Sequence, residues 1–354
     1  MAPQLPCELE EDILSRLPPQ SLIRFRSVCK KWNSLFTDKS FINNHMSRSR
    51  PQFILVAADS KIYSIDITHQ NSIDPTIELR ELPSSNFPLD KSFNEKTISA
   101  CDELLFFNFS YWGYDIALWN PWLRQVKCIE NKGKFLHVFG LGYDNSRREK
   151  VYKILCLIIR QRRIVIYECA SYALKFIDTP VHDCHLTLFQ STVSLNGNLY
   201  WVTETGEFIQ SFDFSTENFK HFCLLPCHKK HDRDKLILAV YKGDRFSLLK
   251  QSYETKKIEI WVTKKNTIDR EEEEVVWINF MTLPTTNLPM LGSISYFIYD
   301  KTLFMCCVDD ETRVYCIYIV REDLCKKIQI GSGIVRCCHC VYTPSLISVL
   351  GETE

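Results

Sequence analysis

Two neighbouring stretches decide the fold: "STVSLNGNLYWVT", Ser191–Thr203, and "FIQSFDFSTENFKHFCLLP", Phe208–Pro226. In the first, two apolar runs flank Asn196-Gly197-Asn198. Asn-Gly between such runs is a strong hairpin signal, because both residues tolerate the positive φ that a tight turn requires. In the second, alternating runs flank the polar segment Asp213–Asn218, which reads as a second, outer strand pair. Together they predict one four-stranded unit.

The outer pair recurs along the chain. "KIYSIDITHQNSIDPTIELREL", "IALWNPWLRQVKCI", "IVIYECASYALKFIDTP", "IEIWVTKK…EEEEVVWINFMTLP" and "VYCIYIVREDLCKKIQI" have the same shape. Anchored on Ile65, Trp119, Tyr167, Phe212, Trp261 and Ile317, the steps are 54, 48, 45, 49 and 56 residues. Inner pairs precede most of them, as in "ILAVYKGDRFSLLK" with its turn at Lys242-Gly243-Asp244 and "GSISYFIYDKTLFMCC" with its turn near Asp300-Lys301. Four strands in roughly 50 residues, repeated six times, is the arithmetic of a six-unit β-propeller-like ring with kelch-like spacing. The first unit is short of inner strands. The tail "GIVRCCHCVYTPSLISVL", Gly333–Leu350, supplies strand material that would complete it and close the ring. The alternative is a β-sandwich, which also gives short strands with frequent turns.

Residues 1–48 follow a different period. Acids at Glu8, Glu10, Glu11 and Asp12 after Pro6 mark a helix start, and Leu9, Ile13 and Leu17 share one face with Leu14 beside them. Pro18-Pro19 stops that helix. Gln20-Ser21 opens a second with Leu22, Ile23 and Phe25. Val28, Trp32, Leu35 and Phe36 repeat at helical spacing in a third, and Asp38 caps a fourth with Phe41, Ile42 and Met46. Helices this short need a partner or the rest of the chain to pack against. The expected organisation is therefore a small all-α bundle over 1–48 followed by a mainly all-β domain over 51–350.

Composition narrows the function classes. Lys+Arg and Asp+Glu both number 43, so the formal net charge is zero, and neither a nucleic-acid binder nor a membrane-surface protein is expected. "MAPQLPCELEEDIL" has no basic or apolar signal region, and the longest apolar run, Ile154–Ile159, is too short to span a bilayer. A cytoplasmic and/or nuclear protein is expected, with its 16 cysteines reduced and mostly buried.

No catalytic or metal pattern assembles. In "RCCHC", Arg336–Cys340, strand alternation puts Cys337 and His339 on the face opposite Cys338 and Cys340, which does not suit one tetrahedral ion. "HDCH", His182–His185, places no base beside Cys184. "HKKHDRDK", His228–Lys235, and "REEEE", Arg270–Glu274, read as solvated loops. Walker, GxSxG, HExxH and dinucleotide fingerprints are all missing. The expectation is a non-enzyme with no cofactor and no metal.

"LPCELEEDILSRLPPQSLIRFRSVCKKWNSLFTDKSFINNH", Leu5–His45, resembles an F-box. The matching positions are Leu5-Pro6, Glu8, Asp12-Ile13-Leu14, Arg16-Leu17-Pro18, Ser21-Leu22, Phe25-Arg26, Val28-Cys29-Lys30, Trp32 and Phe41. The remainder resembles the F-box-associated domain of plant F-box proteins. Asn120-Pro121, Gly142–Asp144, Leu195–Trp201 and Ser211–Asp213 carry that likeness.

The resemblance implies docking on an SKP-family adaptor and, through it, on a cullin-based ubiquitin ligase, with the β domain holding an unknown target protein. An interaction scaffold outside a ligase and an enzyme on a propeller are the alternatives. The expected adaptor patch is Leu5, Pro6, Ile13, Leu14, Leu17, Leu22, Val28 and Trp32, with Arg24, Lys30 and Lys31 at its rim. For the target, the aromatic loop "NFSYWGYD", Asn108–Asp115, offers Tyr111, Trp112 and Tyr114 as anchors. "RQRR", Arg160–Arg163, reads as a solvated turn.

Overall fold

The computed structural model describes the chain except residues 1–4, 58–60, 69–73, 84–96, 102–103, 109–114, 131–135, 147–149, 172, 180–191, 230, 265–274, 284–287, 289, 310–311, 322–323, 332–336 and 350–354. Four helices come first: α1 (Cys7–Leu14), α2 (Pro19–Phe25), α3 (Lys30–Leu35) and α4 (Lys39–Arg48). Pro18-Pro19 does not end the first helix as the sequence suggested. That helix stops at Ser15, and Pro19 opens α2, where a missing N–H costs nothing. Asp38 caps α4 as expected, its carboxylate accepting from Phe41 N at 3.0 Å.

Six four-stranded antiparallel sheets follow. The first contains β1 (Gln52–Val56), β2 (Ile62–Thr68) and β3 (Thr76–Glu81). The second runs β4 (Thr97–Cys101), β5 (Leu104–Asn108), β6 (Asp115–Asn120) and β7 (Gln125–Glu130). The third is β8 (Leu136–Tyr143), β9 (Tyr152–Ile158), β10 (Arg163–Glu168) and β11 (Leu174–Phe176). The fourth is β12 (Val193–Leu195), β13 (Asn198–Val202), β14 (Phe208–Asp213) and β15 (Asn218–Leu224). The fifth is β16 (Lys235–Tyr241), β17 (Arg245–Gln251), β18 (Ile258–Thr263) and β19 (Trp277–Leu283). The sixth is β20 (Leu291–Tyr299), β21 (Thr302–Asp309), β22 (Tyr315–Arg321) and β23 (Leu324–Gln329). The last strand, β24 (Cys338–Tyr342), pairs with β1 as the innermost strand of the first blade, from Gln52↔Tyr342 to Val56↔Cys338. The six sequence anchors all fall on the third strand of their blades.

Apolar side chains fill the space between neighbouring blades. Between blades one and two lie Ile54, Ile62, Leu105, Phe107 and Trp119. Between blades six and one, the rings of Phe53 and Phe297 sit 5.0 Å apart. Each of the six blade interfaces has such a cluster, so the sheets form a closed ring and not a sandwich.

The hairpin chemistry is as the sequence indicated. Asn196 and Gly197 turn with φ 50° and 77°, and Leu195 pairs Asn198 across them. Lys242-Gly243 and Asp300-Lys301 take the same positive-φ pair. The Asp213 carboxylate caps the next turn by accepting from Ser215 N at 2.8 Å and Thr216 N at 3.1 Å. Alternation also holds from Cys337 into β24. Cys338 and Cys340 pack toward blade two, while Cys337 and Val341 pack toward blade six.

Candidate functional site

The helical bundle has a core of Leu14, Leu22, Phe36 and Phe41, with Leu17, Trp32 and Phe25 packed against it. Lys31 Nζ pairs with the Glu10 carboxylate, and Trp32 Nε1 donates to the same group. The hydrogen bonds from Lys31 and Trp32 hold the Glu10 carboxyl below its ordinary range. Arg48 joins α4 to α1, donating to Asp12 at 2.6 Å and to Ser15 Oγ at 2.8 Å.

Burial divides the expected adaptor residues into two sets. Leu14 and Leu22 are buried at 4% and 0% exposure, and Leu17 and Trp32 are partly buried. With only four short helices, the bundle must spend its inward leucines on its own core. Val28 is not in a helix: Cys29 is the N-cap of α3, its Sγ accepting from Trp32 N at 3.4 Å. Exposed apolar side chains remain at Leu5 (56%), Ile13 (50%) and Val28 (60%), with Pro6 exposed beside Leu5. Leu9, absent from the expected patch, is 52% exposed. Its i, i+4 spacing to Ile13 was the available signal. Arg24, Lys30 and Lys31 are exposed.

The bundle is seated on the ring. Leu346, which follows β24, completes the bundle core, and Ile23 packs against the cluster that contains Trp119 and Trp122. The side-chain amide of Asn120 donates to the carbonyls of Ser345 at 3.2 Å and Ile347 at 2.8 Å. Gln125 Oε1 accepts from Ser348 Oγ at 3.0 Å and Val349 N at 3.1 Å. At the linker, Arg50 donates to Ile67 O at 3.2 Å and lies 5.4 Å from the centre of the Tyr299 ring.

Strand direction then fixes which face is which. The linker enters β1 at the end where β24 leaves, because Gln52 pairs Tyr342. In blades four, five and six that end carries the turn joining the two inner strands, such as Asn196-Gly197 and Asp300-Lys301. The helices therefore sit on the hairpin face. At the opposite face second strands end and third strands begin. Asn108 and Asp115, Ile158 and Arg163, and Gln251 and Ile258 end there. Tyr111, Trp112 and Tyr114 lie outside the described residues, as do His182–His185 and Arg270–Glu274. In the Arg160–Arg163 turn, the Arg163 guanidinium stacks 4.1 Å from the Phe176 ring. Among the described residues, no group of three or more His, Cys, Asp or Glu could hold a metal ion. Likewise, no described helix is long and apolar enough to cross a membrane.

Comparison with known families decides the assignment. Residues 3–44 match the F-box domain, and residues 53–349 match the F-box associated beta propeller domain. This chain is an F-box protein with an F-box-associated propeller. Among Arabidopsis thaliana proteins, it is 58% identical to Protein SUPPRESSOR OF NIM1 1 over 98% of both chains. It is 54% identical to another F-box protein over 99% of this chain and 98% of that one. It is also 41% identical to Jacalin-related lectin 38, over 98% of this chain but 68% of the lectin. A solved chain from a nidogen/laminin complex aligns with 84% of this F-box protein, at a TM-score of 0.48 and 10% identity.

Proposed function

We propose that this F-box protein is the substrate receptor of an SKP–cullin–F-box ubiquitin ligase. Leu5, Pro6, Leu9, Ile13 and Val28 dock the SKP-family adaptor. The propeller face away from the helices holds the target protein. The carrying observation is the two-faced architecture: an apolar helical face seated, through Leu346 and Ile23, on one side of a closed ring. Apolar anchors with a basic rim suit a protein–protein dock.

The receptor itself is non-catalytic in this reading. It accelerates ubiquitin transfer by raising the effective concentration of a target lysine at the loaded conjugating enzyme. A bundle seated on the ring suits that role, because a fixed offset between adaptor and target narrows the search. The protein would act in the cytoplasm, the nucleus or both.

The test is a pair of variants. Leu9→Glu with Ile13→Glu should abolish co-purification of the adaptor and cullin while leaving the thermal midpoint nearly unchanged, since both side chains are already in solvent. Undiminished adaptor recovery would reject the assignment. Leu14→Ala is the contrasting variant, because it empties the core and lowers stability by about 2–5 kcal/mol.

A further inference from the structure

On the face away from the F-box, two loops meet between blades four and five. One is the β15–β16 connection carrying "HKKHDRDK", His228–Lys235. The other is the β17–β18 link, Ser252–Lys257. The first is not merely a solvated loop. Tyr253 is gripped from several sides. Arg233 Nη1 donates to its hydroxyl at 2.7 Å, and the guanidinium lies 5.0 Å from the ring centre. Lys256 Nζ is 4.4 Å from the same ring centre and donates to Tyr253 O at 2.7 Å. The His231 ring stacks on it at 4.7 Å. Below them, the buried Asp234 carboxylate accepts from Tyr253 N at 2.8 Å and His231 N at 3.3 Å, which ties the two loops together.

The cations here are held by neutral acceptors. Lys229 Nζ donates to Glu204 O at 3.0 Å, Arg233 to the phenol, and Lys256 to a backbone carbonyl. Among the described residues, none of the three is ion-paired. By contrast, Arg245 at the other end of the same blade also stacks on a tyrosine but is neutralised by Asp244 at 3.1 Å. Lysine and arginine side chains normally lose much rotamer freedom on binding. Here they are already ordered, so an incoming anion pays less for them. Arg233 spends one of its five N–H donors on Tyr253, leaving donors for a carboxylate or phosphate fork.

We propose that the Arg233, Tyr253 and Lys256 cluster is a docking site for an acidic segment of a protein target. This rests on the substrate-receptor reading and names the chemistry that the target face selects. A short protein segment is favoured over a nucleic acid. The chain lacks the basic excess of a dedicated nucleic-acid binder, with 43 cationic and 43 anionic residues. The aromatic ring and its apolar edge suit a segment with one aromatic residue among its acids.

The test uses the full chain co-purified with its adaptor, so that adaptor co-elution reports separately on the ligase reading. A fluorescein-labelled peptide, Glu-Asp-Glu-Asp-Phe-Glu-Asp-Glu-Asp, is titrated by fluorescence polarisation. Binding should be saturable and should weaken as salt rises. Arg233→Gln with Lys256→Gln should raise Kd by about tenfold, whereas Arg245→Gln should change it less than about twofold. Arg233→Lys, which keeps charge but loses the fork, should fall between and guards against a folding defect in the double variant. A phosphoserine peptide of matched charge separates phosphate from carboxylate as the anion source. Equal binding by wild type and the double variant, salt-independent binding, no binding, or tighter binding of a single-stranded oligonucleotide would each overturn the proposal.

Discussion

The side-chain amide of Asn120 reaches the carbonyl of Ile347 at 2.8 Å, joining the second blade to the segment that follows the last strand. Asn120 is fully buried, and its Oδ1 also accepts from Trp122 N at 3.0 Å and Leu123 N at 3.2 Å. One side chain thus shapes a turn and holds the segment that seats the F-box. Asn120→Ala orphans buried amides and carbonyls, and about 3 kcal/mol of stability should be lost. Urea unfolding measures this, and a loss below about 1 kcal/mol would contradict the assigned role.

Leu346 should matter to the helices more than to the blades. Leu346→Ala leaves a cavity in a core that has few other members, costing about 2–5 kcal/mol. Hydrogen exchange should quicken in α1, α2 and α4 while the amides of β13 and β17 keep their protection. Uniform loosening of both domains would show that Leu346 serves the ring instead.

Gly142 stands where two blades touch. A Cβ there would lie 2.2 Å from the Gly197 carbonyl oxygen and 2.3 Å from the Phe214 ring. That carbonyl already accepts from Tyr143 N at 2.9 Å, so it cannot retreat without losing the bond. Gly142→Ala should lower the thermal midpoint by several degrees, about 2 kcal/mol or more. A midpoint equal to wild type would show that the blades can part there at no cost.

Acid sensitivity should centre on Glu217. Burial pushes its carboxyl up, but hydrogen bonds from Lys175 and Lys153 outweigh this and hold it below its ordinary value of 4.5. A depressed carboxyl stabilises the fold above its unfolded pKa, and that stability is lost as pH falls through the folded pKa. The Lys153 side chain is 8% exposed, so Glu217→Gln removes the carboxylate charge that faces a buried cation, whose other hydrogen bond is to Phe214 O at 3.3 Å. The variant should be about 2 kcal/mol less stable at pH 7. The gap to wild type should close between about pH 5 and pH 3, read from urea midpoints across that range. A gap that stays constant with pH would refute the charge interaction.

The ring is legible in the sequence because its signals are local. Every anchor from Ile65 to Ile317 lies on the third strand of its blade, since strand alternation and turn residues act over a few positions. Asn196-Gly197 and the Asp38 cap are readable for the same reason. The docking patch is less so. The pattern shows that Leu14, Leu22, Ile13 and Val28 are apolar, but inside and outside depend on how the four helices close. Glu10 bonding Trp32, and Arg233 reaching Tyr253, join residues whose separation carries no periodic signal. The seat of the helices is illegible altogether, since Leu346 meets Leu14 and Phe41 in one core only after every blade has been laid in sequence.

That last contact also orders events during synthesis. The ribosome releases α1 to α4 first, yet their core is completed by a side chain made after the final strand. Until then the nascent helices are an unfilled shell, and the blades are an open arc awaiting β24. A chain cut short before Tyr342 would lack the strand that closes the ring and the leucine that completes the bundle. One truncation would therefore leave both the ring and the bundle incomplete.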